Sequence, residues 1–184
     1  DAMVGASSEG ATDRRITALL NAALIAIEDG NGDAASATIA DAAATMRQQA
    51  DAIGSEDVRA GAEATIAYFE GLLAARLGDS DGAAQKAAEF ETHVASNTNP
   101  RKLERMHAIL GMAAFYQDDF AGAVEHLSSA NHVNNMYTKY YLARANEAAG
   151  NADAAAGLYS ELAVYNFNGP GYAMLRKDIL ARNR

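Results

Sequence analysis

The sequence predicts an all-α chain: an alpha-solenoid of four antiparallel helix pairs followed by one capping helix, about nine helices in all. Three observations predict it. The stretch from Glu104 to Leu162 repeats itself, since Gly111 aligns with Ala143, Phe120 with Ala152, Ala123 with Ala155, Leu127 with Tyr159 and Ala130 with Leu162, each at an offset of 32 residues. Each copy has a helical run, a polar break (Gln117 to Asp119; Gly150 to Asp153) and a second helical run with small residues near its start. Finally, the chain is 49% apolar and rich in alanine but poor in strand formers, and its only prolines, Pro100 and Pro170, fall at expected element boundaries.

The frame extends backwards. Gly71, Ala74, Gly78, Asp79, Ala83, Ala87 and Phe90 fit a unit starting near Ala64, and Ala23, Gly30, Ala35, Ile39 and Ala42 fit one near Ile16. Unit starts at 16, 64, 104 and 136 give intervals of 48, 40 and 32 residues, which longer early helices or connections would explain. Small residues at repeated positions let two helix backbones approach, while Leu, Phe and Tyr fill the space beside them. A helical bundle is the competing architecture. The contact pattern separates the two, because a solenoid contacts only near neighbours in sequence, whereas residues 14–50 packing on 136–165 would mark a bundle.

Element by element, residues 1–12 are small and polar and read as a flexible segment, with 13–184 a single domain. The first helix is expected from residue 13 or 14 to 28, burying Ile16, Leu19, Leu20, Ala23, Leu24 and Ile27. The run Asp29-Gly30-Asn31-Gly32-Asp33 lacks the spacing of a calcium loop and reads as a C-cap glycine followed by an N-capping Asp33 and a return helix over 34–50. Ser55 opens a third helix to about residue 77 with two stripes, Ala62, Ile66, Phe69, Leu73 and Leu77 beside Tyr68, Leu72 and Arg76, as an interior solenoid helix requires. Gly78 and Asp79 end it, and Asp81 starts its partner. Residues 95–100 form a polar connection too short for an interdomain linker. After the two best repeats, an aromatic, glycine-rich turn at 164–172 leads to a helix over 173–181. Phe167, Tyr172, Leu175 and Leu180 are placed to cover the open face of the last unit, with Arg176, Lys177, Arg182 and Arg184 facing water; a peptide- or ligand-binding turn is the other reading.

Leu110-Gly111, Phe120, Ala123, Leu127 and Ala130, then Leu142-Ala143, Gly150, Ala155, Tyr159 and Leu162, resemble the tetratricopeptide repeat. The match is degenerate. His107 and Lys139 hold the usual tryptophan position, Ala114 and Asn146 the usual tyrosine, and the unit-closing proline is missing. The resemblance covers roughly residues 14–165 and implies a right-handed superhelix whose first helix in each unit lines a concave, peptide-binding groove. The family's groove positions fall on Tyr68, Leu72, Ala75 and Arg76; on Arg105, Ala108, Met112, Phe115 and Tyr116; and on Tyr137, Tyr140, Arg144, Glu147 and Ala148. Of these, Tyr68, Arg76, Arg105, Met112, Phe115, Tyr116, Tyr137, Tyr140 and Arg144 are the expected protein-binding residues. Tyrosines and arginines concentrate binding energy at interfaces, and a fork of guanidinium donors suits an acidic polypeptide.

The function classes narrow accordingly. A net charge of −9 argues against nucleic acid and anionic membranes as partners, and no apolar run is long enough for a membrane span. Ten acids against four bases occupy residues 1–60, while 171–184 hold one acid and four bases. With no cysteine there is no disulfide, thiolate zinc site or cysteine nucleophile. His93, His107, His126 and His132 form no HExxH motif, Glu104 and His107 make one Glu-x-x-His pair where a di-iron bundle needs two, and no phosphate-binding loop or nucleophile elbow is present. The expectation is a non-catalytic protein- or peptide-binding scaffold without cofactor or metal, or alternatively a self-associating structural subunit of an oligomeric or filamentous assembly. A start at Asp1 fits removal of a signal peptide or tag, and leaves the compartment open between cytoplasmic and exported.

Overall fold

The computed structural model describes residues 2–166 and 169–183, with side chains from residue 10 onward. Among the described residues it is all-α: α1 (Ala2–Glu28), α2 (Gly32–Ile53), α3 (Glu56–Arg76), α4 (Ser80–His93), α5 (Glu104–Tyr116), α6 (Phe120–Ser129), α7 (Met136–Ala148), α8 (Ala152–Ala163) and α9 (Pro170–Arg182). The helix expected from residue 13 or 14 begins at Ala2. Alanine and serine, which read as a flexible lead, are compatible with helix once a helix follows them. The last helix starts at Pro170 rather than 173, because proline suits the first turn, where its missing N–H has no partner to lose. Phe167 and Arg184, assigned roles above, lie outside the described residues.

The four repeat units are visible in their turns. Gly30, Gly78 and Gly150 have φ of +72°, +78° and +83°, and the third unit places Asp118 there at +60°. In every unit the next residue donates its N–H to the carbonyl five back: Asn31 to Ala26, Asp79 to Ala74, Asp119 to Ala114 and Asn151 to Asn146, at 2.9, 2.9, 3.0 and 2.8 Å. That bond closes the outgoing helix in a Schellman-type turn. The residue after the turn then caps the returning helix, through Asn31 onto the Ala34 N–H, Asp79 onto Gly82 and Asp119 onto Gly122. The cap is Asn31, not Asp33, because the turn is two residues tighter than a Gly-to-Asp33 reading requires. Helices joined by so short a turn and packed on one another run antiparallel.

Packing is largely sequential. Each helix packs on the next, and α1, α3, α5, α7 and α9 also pack in succession. Gly111 is where α5 and α6 come closest: a Cβ there would lie 2.6 Å from Leu127 Cγ and 3.1 Å from its backbone nitrogen. Gly71 is also confined, a Cβ there lying 2.8 Å from the Ile109 side chain of the following unit. Of the two α3 stripes, Tyr68 and Leu72 are buried, whereas Leu77 is 59% exposed. Two features depart from strict neighbour packing. Side chains of α1 and α7 meet, Glu28 accepting from Tyr137 and Tyr141, although the two helix backbones do not pack on one another. Helix α9 lies on α7 and α8 and also reaches α1, so the two ends of the chain meet. Tyr172 fastens α9 to the preceding unit by donating to the Leu162 carbonyl at 2.8 Å.

Candidate functional site

With α9 set against α1, an open cavity of about 890 Å³ lies among the odd-numbered helices and the connections between them. Its wall takes Leu20 and Leu24 from α1, Ala64, Tyr68 and Phe69 from α3, Arg105 and Ala108 from α5, Met136 and Tyr137 from α7, and Gly171 and Tyr172 from α9. Gly171 sits where a Cβ would be 3.3 Å from Leu24 and 3.5 Å from Tyr137, so the start of α9 lies directly between the first and seventh helices.

The rim of this cavity is rich in hydrogen-bond donors. Arg101, Lys102 and Arg105 line it with a single acid, Glu104, which already takes the Arg101 guanidinium at 2.5 Å. Lys102 donates to the Ala95 carbonyl. Arg105 lies over the Tyr68 ring, 5.2 Å from its centroid, donates to Thr65 Oγ1 at 3.4 Å, and has no carboxylate partner among the described residues. Burial raises the Tyr68 phenol against the opposing pull of Arg105. Asn97, Asn99, Asn131 and Asn135 also line the cavity. Each uses its Oδ1 to accept a backbone N–H, from Asn99, Arg101, Asn134, and both Tyr137 and Thr138 respectively. Asn135 Oδ1 has both lone pairs engaged and the other three oxygens one each, while all four amides keep their Nδ2–H donors.

Further along the same helices the inner face is closed. Glu28, at the end of α1, accepts from Tyr137 OH at 2.9 Å and from Tyr141 OH at 2.7 Å. Tyr141 having spent its proton on Glu28, Tyr116 OH donates to it at 2.8 Å. Arg76 donates to the Ile27 and Glu28 carbonyls at 3.1 and 3.2 Å and lies 5.1 Å from the Tyr116 ring centroid, so a cation closes the C-terminus of α1 where the helix dipole favours one. Burial, followed by the Glu28 charge, holds the Tyr137 phenol well above its ordinary range. Tyr141 is likewise pushed up, by burial and then by the neighbouring Tyr137, Tyr116 and Glu28. Beside this network Tyr140 donates to Asp178 of α9 at 2.7 Å and receives Arg144 at 2.9 Å. Burial and that carboxylate push Tyr140 up to about 12.

The nine expected binding residues are therefore divided. Tyr68, Arg105 and Tyr137 line the main cavity. Phe115, Tyr116 and Arg144 line a second, smaller one of about 380 Å³, where Arg144 stands 5.6 Å from the Phe115 ring centroid. Arg76 caps α1, Tyr140 ties α7 to α9, and Met112 is 1% exposed in the core. Arg105 and Arg144, both expected in the groove, lie at different cavities. The asparagines and Glu28 escaped the sequence reading. The Asn-rich runs 97–99 and 131–135 were visible as connections, but nothing in the sequence aims Glu28 at tyrosines more than a hundred residues away. No family model matches the chain, and neither does any curated protein or solved structure. Among the described residues no helix is long and apolar enough to cross a membrane.

Proposed function

We propose that the chain is a non-catalytic polypeptide-binding module, a degenerate tetratricopeptide-like solenoid whose α9 closes its concave face, and that it holds an acidic segment of a partner in the main cavity. The observation that carries this reading is the donor-rich rim. Arg105 without a carboxylate partner, Lys102 and the Nδ2–H groups of four asparagines all offer hydrogen, on a chain of net charge −9. Such a rim complements carboxylates and backbone carbonyls, while the surrounding acids repel nucleic acid. The apolar wall of Leu24, Tyr68, Phe69 and Tyr137 supplies the area that anchors a side chain.

Selection of random dodecapeptides displayed on phage against the native chain tests this. Enrichment of Asp and Glu is expected, with the selected peptides losing at least about tenfold in affinity, roughly 1.4 kcal/mol, for Arg105→Glu and little for Arg144→Ala. Failure to select any peptide, or selected peptides indifferent to Arg105→Glu but lost with Arg144→Ala, defeats the assignment.

A further inference from the structure

Arg105 and Ala108, both in the cavity wall, bracket His107 on α5. His107 meets His126 of α6 with the two Nδ1 atoms 3.1 Å apart, while the ring centroids are 5.4 Å apart and the planes are inclined by 35°. The difference between the two distances is about two imidazole radii. Both nitrogens therefore lie near the line joining the rings, and their in-plane lone-pair directions point at each other. A chelated ion requires donors converging on a third point, and among the described residues no three or more His, Cys, Asp or Glu side chains gather as metal ligands. The head-on arrangement instead holds one proton, with Nδ1–H of one ring donating to the bare Nδ1 of the other.

We propose that this pair is a proton-operated latch between α5 and α6, closed while one Nδ1 is bare and forced open when both rings are protonated, and that its opening loosens the cavity wall carried by α5. The charge facing His107 comes from α6. Burial lowers its proton affinity first and the His126 imidazole lowers it further, while Glu125 pulls the other way. On the other helices against α5, Glu63 pairs with Arg47, Arg59 with Asp51, Glu70 and Glu89 with Lys86, Arg76 with α1, Lys139 with Glu161, Arg144 with Tyr140 and Glu147 with Arg182. Glu56, Asp57, Asp81, Glu91 and His93 complete the charged groups and histidines of α3 and α4, and the groups acting on His107 are His126 and Glu125. On α5 itself Glu104 holds Arg101. With the folded His107 below its ordinary value of about 6.5, the stability it contributes is complete above about pH 6.5 and is lost as pH falls through the lowered value. The hairpin transmits the change because Leu127, next to His126, is wedged against Gly111 with no room to spare.

The coupling to the cavity rests on the polypeptide-binding reading, whereas the latch does not, and the experiment separates them. Nitrogen-15 NMR of labelled histidines in the unaltered chain is expected to show one protonated and one bare Nδ1 at about pH 7.5, the bare Nδ1 gaining its proton as the pH is lowered. Amide hydrogen exchange across α5 and α6, corrected for intrinsic rates, is expected to accelerate at least about tenfold over the same fall in pH in the native chain. In the His107→Gln, His126→Gln double variant, whose amides hydrogen-bond without titrating, it should change by less than about twofold. Two bare Nδ1 atoms at neutral pH, equal acceleration in both proteins, or zinc chloride protecting only the native chain each overturns the latch, the last in favour of an ion clamp. Local opening in acid with no fall in affinity for the selected dodecapeptides overturns the coupling.

Discussion

Helices α1, α3, α5 and α7 build two regions of one inner face, and their earlier and later turns have opposite fates. The earlier turns line the cavity and leave Arg105 and a set of asparagine amides with donors to spare. The later turns meet around Glu28, where the hydroxyls of Tyr116 and Tyr141 and the Arg76 guanidinium find partners inside the chain, joined by the hydroxyl of Tyr137, which starts α7 and also lines the cavity. Among the described residues no buried side-chain nitrogen or oxygen lacks a partner, so the surplus donors are confined to accessible positions. The difference teaches how to read a groove residue. Tyrosine and arginine at a position that faces inward serve the fold when an acceptor from the same chain reaches them, and are free for a partner only when none does.

The largest expected effect is alkaline. The phenols of Tyr137, Tyr140 and Tyr141 are raised in the folded state, so their contribution is fully present below about pH 10 and lost as pH rises through the folded values. Tyr140 sets the onset, at about 12. Absorbance titration of phenolate alongside circular dichroism should show these phenols ionising together with unfolding of the closed region. Ionisation of all three at ordinary values, with helicity intact, would show that the region is not sealed.

Removing its acceptor comes next. Glu28→Ala strands the Tyr137 hydroxyl and strips a charged partner from Tyr141, at an expected cost of about 3 kcal/mol in urea unfolding, against about 1 kcal/mol for Glu28→Gln, which still accepts. Equal losses in both would mean that charge, not acceptance, is what the tyrosines need.

A smaller effect, of opposite sign, comes from the turn between α5 and α6. Asp118 sits at φ +60° where the other three units use glycine, so Asp118→Gly is expected to stabilise by up to about 1 kcal/mol through relief of the left-handed conformation, less the added freedom of the unfolded chain. A destabilised variant would mean that the aspartate side chain contributes more than its backbone conformation costs.

Smallest of all, Arg105→Ala at the open region should move the unfolding midpoint by no more than about 0.5 kcal/mol, since its partners are an exposed hydroxyl and a ring face. A loss comparable to that of Glu28→Ala would erase the distinction between the two regions.

The legible part of this protein was its short-range grammar. Gly30, Gly78 and Gly150 announced the turns, the 32-residue offset between Gly111 and Ala143 announced the last two units, and the intervals of 48 and 40 residues separate the observed turns at Gly30, Gly78 and Asp118 as well. Gly111 proved to be a point of closest approach, against the paired helix of its own unit. Part of the candidate site was legible too, in Tyr68, Arg105 and Tyr137, because residues near the start of each inner helix share a face by helical periodicity alone. Phe115, Tyr116, Tyr140 and Arg144 carry the same periodic signal, and the pattern could not say that a tyrosine's acceptor would come from another unit.

By itself, then, the sequence determined where each helix turns back and which helix it pairs with, since a left-handed residue, a capping side chain and a bond to the carbonyl five residues back all act within a few positions of one another. Only the tertiary structure decided that the inner face closes. That outcome depends on how successive helix pairs seat on one another, through contacts such as Ile109 against Gly71 in the neighbouring unit. It places α9 on α1 and sets Glu28 against Tyr137 and Tyr141, 109 and 113 residues away, a separation that no local sequence pattern reaches.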